Sequence, residues 1–219
     1  DSIDPFRDAK TLVVNHSIVD PFTDEPYSRD SRQVAAKAEA YLKSTGIADT
    51  VFFGAEAEFF MFDEIRYSVT PGHSFYKIDS EEAAWNTGRE ELGGNLGYKS
   101  PMTGGYYASG PQDKDADIRD EMSLTLESIG FEMERAHHEC GTAGQQEINY
   151  KFATLQKAGD QLLDFKYVVR SVAQQWGKTV TFMPRPLMDE SGSGMHCHQS
   201  LWKDGKPLFY DENGYAGLS

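Results

Sequence analysis

The residues best suited to chemistry fall in three short clusters. Glu56 and Glu58 stand two apart within Val51-Phe52-Phe53-Gly54-Ala55-Glu56-Ala57-Glu58-Phe59-Phe60-Met61-Phe62, an apolar run that predicts a strand. Residues two apart in a strand project from one face, so two carboxylates stand side by side in an apolar segment. A solvated edge strand would tolerate the pair. Phe52, Gly54 and Phe60 share that face, which favours a buried pair needing a cation, a shared proton or an arginine. The second cluster runs from His137-His138-Glu139 to Gln145-Gln146-Glu147 and sets Glu139 and Glu147 on either side of a glycine-rich loop. Thr142, four residues after His138, excludes the paired-histidine helix of zinc proteases. The third is Gly192-Ser193-Gly194-Met195-His196-Cys197-His198-Gln199-Ser200. His196 and His198 share a strand face there, behind glycines that let backbone approach a ligand. A lone histidine is usually a satisfied polar residue, but two beside four glutamates point to chemistry.

This inventory of four glutamates and one or two histidines is rich in hard oxygen donors, which select Mg²⁺ or Mn²⁺ over thiolate-loving metals. Carboxylates around two divalent ions suit a site that binds a polyphosphate and moves a phosphoryl group. The sequence has no Walker motif or kinase glycine loop, so metals and strand-borne side chains would hold the nucleotide. Pure binding would not need so many acidic ligands. An enzyme is the better reading.

The elements that must position these groups are legible from periodicity. A helix is expected from about Ser31 to Ser44, with Val34, Ala38, Tyr41 and Leu42 on its apolar face, Asp30 or Ser31 as cap and Gly46 as stop. A second is expected over Asp115 to Ser128, with Ile118, Met122, Thr125, Leu126 and Ile129 buried. A third is expected over Ala153 to Trp176. Strands are expected at Phe131–His138, Glu147–Phe152, Thr179–Met183 and Met195–Trp202, the last followed by an Asp204-Gly205 hairpin turn. Residues 63–112, rich in Gly, Ser, Pro and Tyr, read as long loops with short strands. Helices do not alternate evenly with strands, which implies an α+β fold: a mixed, mainly antiparallel sheet with helices packed on one side.

Composition bounds the rest. The chain has 219 residues and a net charge of −14, which argues against nucleic acid or an anionic membrane as partner. No apolar run approaches the roughly 20 residues that span a bilayer. Its two cysteines, Cys140 and Cys197, form no disulfide framework and suit a reducing, cytoplasmic setting. The abrupt ends read as those of a fragment.

Taken together, the motifs resemble the catalytic domain of bacterial type I glutamine synthetase across nearly the whole chain. They are Phe53-Gly54-Ala55-Glu56-Ala57-Glu58-Phe59, His137-His138-Glu139 through Gly144-Gln145-Gln146-Glu147-Ile148-Asn149-Tyr150, Lys178-Thr179-Val180-Thr181-Phe182-Met183-Pro184, and Gly192 through Leu201. Asp20-Pro21-Phe22-Thr23 and Pro26-Tyr27-Ser28-Arg29-Asp30 are also similar to the family. The resemblance implies a curved sheet with flanking helices and ligation of ammonia to glutamate through γ-glutamyl phosphate. It implies Glu58, Glu139 and Glu147 as ligands of the metal facing glutamate, and Glu56 and His196 as ligands of a second metal that bridges the ATP phosphates. Glu134, Phe152, His198, Gln199 and Ser200 match ATP contacts. Ser191, Gly192 and Tyr106 match the glutamate side. The family assembles as a dodecamer of two hexameric rings.

Two departures fall near the amino-acid side. Asp189-Glu190-Ser191-Gly192 stands where the family usually has Gly-Asp-Asn-Gly, and Thr103-Gly104-Gly105-Tyr106-Tyr107-Ala108 where it has Lys-Gly-Gly-Tyr-Phe-Pro. They keep a γ-glutamyl-amine or polyamine ligase of the same fold as the alternative. A non-catalytic structural relative is a further one. The chain is expected to be a partial catalytic domain lacking the family's N-terminal domain and C-terminal part. It lacks the third ligand of the second metal and the phosphate-binding arginines, and is expected to be inactive alone.

Overall fold

Strands and helices follow the apolar runs. A computed structural model describes residues 1–86 and 97–219; residues 87–96, part of the stretch expected as long loops, lie outside the described residues. In chain order the elements are β1 (Ser2–Ile3), β2 (Leu12–Val13), α1 (Ser31–Thr45), β3 (Thr50–Phe62), β4 (Glu64–Thr70), β5 (His73–Asp79), α2 (Ala116–Ser128), β6 (Met133–His138), β7 (Gln145–Tyr150), β8 (Ala153–Thr154), α3 (Leu155–Gln175), β9 (Thr179–Thr181), β10 (Met195–Lys203) and β11 (Lys206–Pro207). The chain divides into two units. One comprises Asp1–Ala55, Lys151–Phe165 and His196–Ser219, the other Glu56–Tyr150 and Lys166–Met195.

In the first unit, α1 begins where Asp30 accepts the Arg32 backbone N–H and ends at Gly46, whose φ of 71° needs no Cβ relief. The apolar stripe expected to bury this helix does not: Val34 is 51% and Tyr41 73% exposed. The helix is held instead by its caps and by Arg32, whose guanidinium forks onto Asp160 at 3.0 and 3.1 Å and reaches Ser17 Oγ at 2.6 Å. The leading half of β3 pairs antiparallel with β8, Phe52 facing Thr154. β10 turns into β11 through Asp204 and Gly205, both at positive φ, as the Asp-Gly pair requires.

The second unit holds the core. The trailing half of β3 lies between β7 and β9, and β7 continues to β6; each pairing is antiparallel. The registers described are all antiparallel, which narrows the expected mixed sheet. Phe59, Phe60, Met61 and Phe62 are all buried, so alternation ends where β3 is covered on both faces. Phe60 and Phe62 join Ala83, Ala143 and Leu187 in one cluster; Phe59 meets Phe182 at 5.5 Å. Each such side chain contributes about 1.5–3 kcal/mol of burial. Ile118, Met122 and Leu126 of α2, and Val168, Val169, Val172 and Ala173 of α3, are buried too, and α2 packs on β6 and β7. β4 and β5, seven residues each, form a hairpin, Glu64 facing Asp79 through to Thr70 facing His73. That exceeds the short strands expected, because nothing breaks either run and Pro71-Gly72 supplies the turn.

Candidate metal and amino-acid site

Register alone brings the carboxylates together. Glu58 on β3 lies opposite Glu147 on β7, and Glu147 lies opposite His137 on β6. Directly opposed residues share a face at Cβ separations of about 4.5–5.5 Å, so the three form a row across three strands. Glu139 leaves β6 two residues after His137 and rejoins the row: His137 Nδ1 is 3.8 Å from Glu139 Oε1, and Nε2 is 3.6 Å from Glu147 Oε2. Ligand atoms of His137, Glu139 and Glu147 lie within 4.8 Å of one another, and all three residues are buried. Two carboxylates, one imidazole and the adjacent Glu58 carboxylate make a donor set that fits Mg²⁺ or Mn²⁺. His137 was not among the ligands expected from sequence. Its place two residues before Glu139, at the end of a strand, was the available signal.

The site's electrostatics ask for a cation. Burial pushes the Glu147 carboxyl above its ordinary value; the Asn149 hydrogen bond and His137 oppose this, and the charges of Glu139 and Glu56 add to it. Asn149 Nδ2 donates to Glu147 Oε1 at 2.7 Å, and the Cys140 backbone N–H donates to Glu139 Oε2 at 2.7 Å. Burial, with the same Glu139 charge, raises the Cys140 thiol to about 11, the opposite of the shift that activates a cysteine.

The connection between β6 and β7 is tight. Gly144 sits at φ 83°, and a Cβ there would fall 2.3 Å from the Met61 carbonyl oxygen. That same turn accepts the Met61 N–H through Gly144 O at 2.9 Å. From β7, the Gln145 amide donates at 2.9 Å both to Glu58 Oε2 and to Gly192 O. The expected glutamate loop is thereby joined to the Glu58 carboxylate.

Tyr106, matched by the resemblance to the glutamate side, lies beside the cluster, its ring perpendicular to that of His137 at 5.6 Å. Its hydroxyl is raised by partial desolvation and by the charges of Glu139, Tyr107 and Glu147. Tyr107 stacks on His137 at 4.4 Å and 15°. Arg135 hydrogen-bonds the Tyr107 side chain, which with nearby charge holds the guanidinium above its usual value. Backbone bonds from Gly105 to Cys140 O and from Tyr107 to His138 O, 3.0 Å each, fix this loop to β6. Glu134, expected to touch nucleotide, is exposed at the bulge between Met133 and Arg135.

Behind the row lies a buried polar layer that sequence reading missed. His138 Nε2 lies against the Glu82 carboxylate, and Nδ1 contacts Glu139 O at 2.5 Å. Burial pushes the Glu82 carboxyl up to about 7 against the pull of His138. Arg119 forks onto Asp113 at 2.7 Å and bonds Gln146. Lys178 lies between Asp63 at 3.0 Å and Asp115 at 2.8 Å.

The remaining expected residues belong to the first unit. β10 presents His196, His198 and Ser200 on one face, by alternation, and Cys197 and Gln199 on the other. Phe152 is 49% exposed and edge-on to Phe52 at 5.2 Å. Phe52 meets Trp202 at 5.8 Å, and Trp202 Nε1 donates to Ser200 Oγ at 2.9 Å. A Cβ on Gly54 would lie 3.5 Å from Phe152 and 3.9 Å from His198, so these side chains converge over one backbone position. The ligand pair Glu56 and His196 is divided between the units and stays an expectation of the resemblance.

The chain has relatives among known proteins. Residues 28–219 match the profile of the glutamine synthetase catalytic domain. The glutamine synthetase of Streptomyces coelicolor is 61% identical over 217 residues, covering 99% of this chain and 46% of the relative. That of Mycolicibacterium smegmatis is 59% identical over 220 residues, with the same shares. The chain thus spans about half the length of the curated relatives it matches. Among solved structures, Plasmodium falciparum glutamine synthetase superposes with a TM-score of 0.81 at 30% identity, over 90% of this chain and 39% of that one. GmaS in complex with ADP superposes at 0.64 with 25% identity, over 90% and 39%. The chain belongs to the glutamine synthetase catalytic-domain family.

Proposed function

We propose that the full-length protein carrying this chain is an ATP-dependent ligase that joins ammonia to L-glutamate through γ-glutamyl phosphate. The row Glu58–Glu147–His137, completed by Glu139 and tied through Gln145 to Gly192, is the observation that carries this reading. Glu58, Glu139, Glu147 and His137 hold one Mg²⁺ or Mn²⁺. By the resemblance, Glu56 and His196 serve a second. Divalent cations there supply charge neutralisation for the carboxylate and the transferring phosphoryl group.

The chain's own groups do the rest. Ser191 and the Gly192 backbone orient glutamate, and Tyr106 borders it. Glu134, Phe152, His198, Gln199 and Ser200 hold ATP, Phe152 offering an aromatic face and Ser200 a hydroxyl. A γ-carboxylate oxygen attacks the terminal phosphorus and ADP leaves with the P–O electron pair. Ammonia then attacks the acyl carbon, phosphate leaves and nitrogen releases a proton. We further propose a cytoplasmic dodecamer of two hexameric rings for the whole protein, in keeping with the two free cysteines.

Ser191 and Tyr107-Ala108, the departures beside the amino-acid side, favour a second reading, a γ-glutamyl-amine or polyamine ligase. Intact carboxylates argue against a purely structural relative. ADP release and product chromatography on the full-length protein, with glutamate plus ammonia against a panel of amines, separate the three. Glutamine as main product supports the reading; amine-only turnover, or none, overturns it.

A further inference from the structure

We propose that Glu190 is a positioning residue: its buried carboxylate fastens the Ser191–Gly192 loop to two other loops and so fixes the backbone that receives the amino acid. The identity of that substrate rests on the function proposed above. Glu190 is 1% exposed. Its Oε1 accepts the Thr142 hydroxyl at 2.7 Å, and its Oε2 accepts the backbone N–H groups of Thr103 at 3.2 Å, Ser191 at 3.3 Å and Thr142 at 3.4 Å. A carboxylate taken out of water is costly unless donors satisfy it; here one side chain gathers donors from three separate segments.

The same loop is pinned from its other sides. The Ser193 N–H donates to Pro184 O at 2.7 Å. The Gln145 amide holds Gly192 O at 2.9 Å. A Cβ on Gly192 would sit 2.7 Å from Pro184 O, so Gly192 admits no side chain without moving. Asp189 and Thr103, at φ 62° and 58°, flank the brace in the left-handed region, which a β-branched threonine adopts only when its surroundings over-determine it. Glu58, Glu147 and His137 are set instead by the β3–β7–β6 registers. Loss of one leg of the brace therefore loosens the amino-acid loop and leaves the metal row in place.

Thr142→Val removes the hydroxyl donor at nearly constant volume, and Thr142→Ser keeps it. Both are tested in the full-length protein. Expected for Thr142→Val is faster amide hydrogen exchange at 189–194 but not in β7, with the KM for glutamate up about tenfold. The KM for ATP and the Kd for Mn²⁺ stay within about twofold, and Thr142→Ser behaves as the unsubstituted protein. Unchanged exchange at 189–194, or a uniform loss across glutamate, ATP and Mn²⁺, overturns the inference. If the unsubstituted protein makes no glutamine, the proposed function fails, and the exchange rates alone decide the role of Glu190.

Discussion

Glu58 and Glu147 face each other across the antiparallel β3–β7 pair, two carboxylates where a ladder usually places complementary side chains. Their repulsion, with burial raising Glu147, would be relieved by a divalent cation at the proposed site. Mn²⁺ is therefore expected to raise the thermal midpoint of the full-length protein, by about 2.7 kcal/mol of added stability at a hundredfold excess over Kd. In Glu58→Ala the shift should largely vanish. An equal shift in that variant would place the metal elsewhere.

Glu139 and Glu81 are both glutamates near loops, but only Glu139 lies in the buried row. Glu81 is partly exposed and pairs loosely with Lys114 at 3.5 Å, worth about 0–1 kcal/mol. Glu139→Gln should cost roughly 10²–10³ in kcat of the full-length protein. Glu81→Gln should leave it within about twofold, since the free-energy change is small. Comparable losses would mean that the row is not the site.

His137 bridges Glu139 and Glu147 at 3.8 and 3.6 Å, between the face of Tyr107 and the edge of Tyr106. His137→Ala is expected to weaken Mn²⁺ about 10–100-fold by calorimetry, as loss of a ligand or its support does. A Kd unchanged within error would show that the imidazole only fills space.

The route to His137 shows how far the sequence carries. Period-2 spacing was enough to put Glu56 beside Glu58 and to separate Glu139 from Glu147 by a glycine loop. Helix signals set α1, α2 and α3 to within about two residues, because caps and glycine stops act locally. What could not be read is what depends on register: that Glu147 falls opposite both Glu58 and His137, or that Glu190 meets Thr103 and Thr142. Such partners lie 48 and 87 residues apart, with no local signal for either end. Apolar periodicity also misled at α1, since it marks a face that gets covered without saying by what, and Val34 and Tyr41 stay exposed in the first unit.

The buried layer behind the row should be stability-critical. His138 is 1% and Glu82 4% exposed. With Nδ1 against the Glu139 carbonyl, which can only accept, the imidazole must find its other partner in Glu82. Glu82→Leu removes that partner and strands Nε2 in the core. The expected loss is about 2–3 kcal/mol, read as denaturant midpoint. Glu82→Gln, which keeps a hydrogen bond to Nε2, should recover much of it. Two equally mild variants would mean that the pair is not needed.

Lys178 supplies the pH-dependent case. Burial alone would lower its pKa, but the carboxylates of Asp115 and Asp63 outweigh burial and hold it above the ordinary 10.5. Asp115 stands at the N-cap of α2 yet makes no side-chain cap bond, because one oxygen faces Lys178 at 2.8 Å. The ammonium thus ties the start of α2 to Asp63 at the end of β3. A cation whose pKa is higher folded than unfolded contributes stability in full below the unfolded value and loses it as pH rises through the folded one. Lys178→Met should therefore cost about 3 kcal/mol near neutral pH, by taking the cation away from the buried Asp115 carboxylate, while Asp63, half-buried, keeps the Glu81 N–H. The gap between variant and unsubstituted protein should shrink as pH climbs past 10.5, because the unsubstituted protein loses its ammonium there. Urea midpoints across that range decide it. A gap that stays constant with pH would show that Lys178 stabilises through its packed methylene stem, not through its charge.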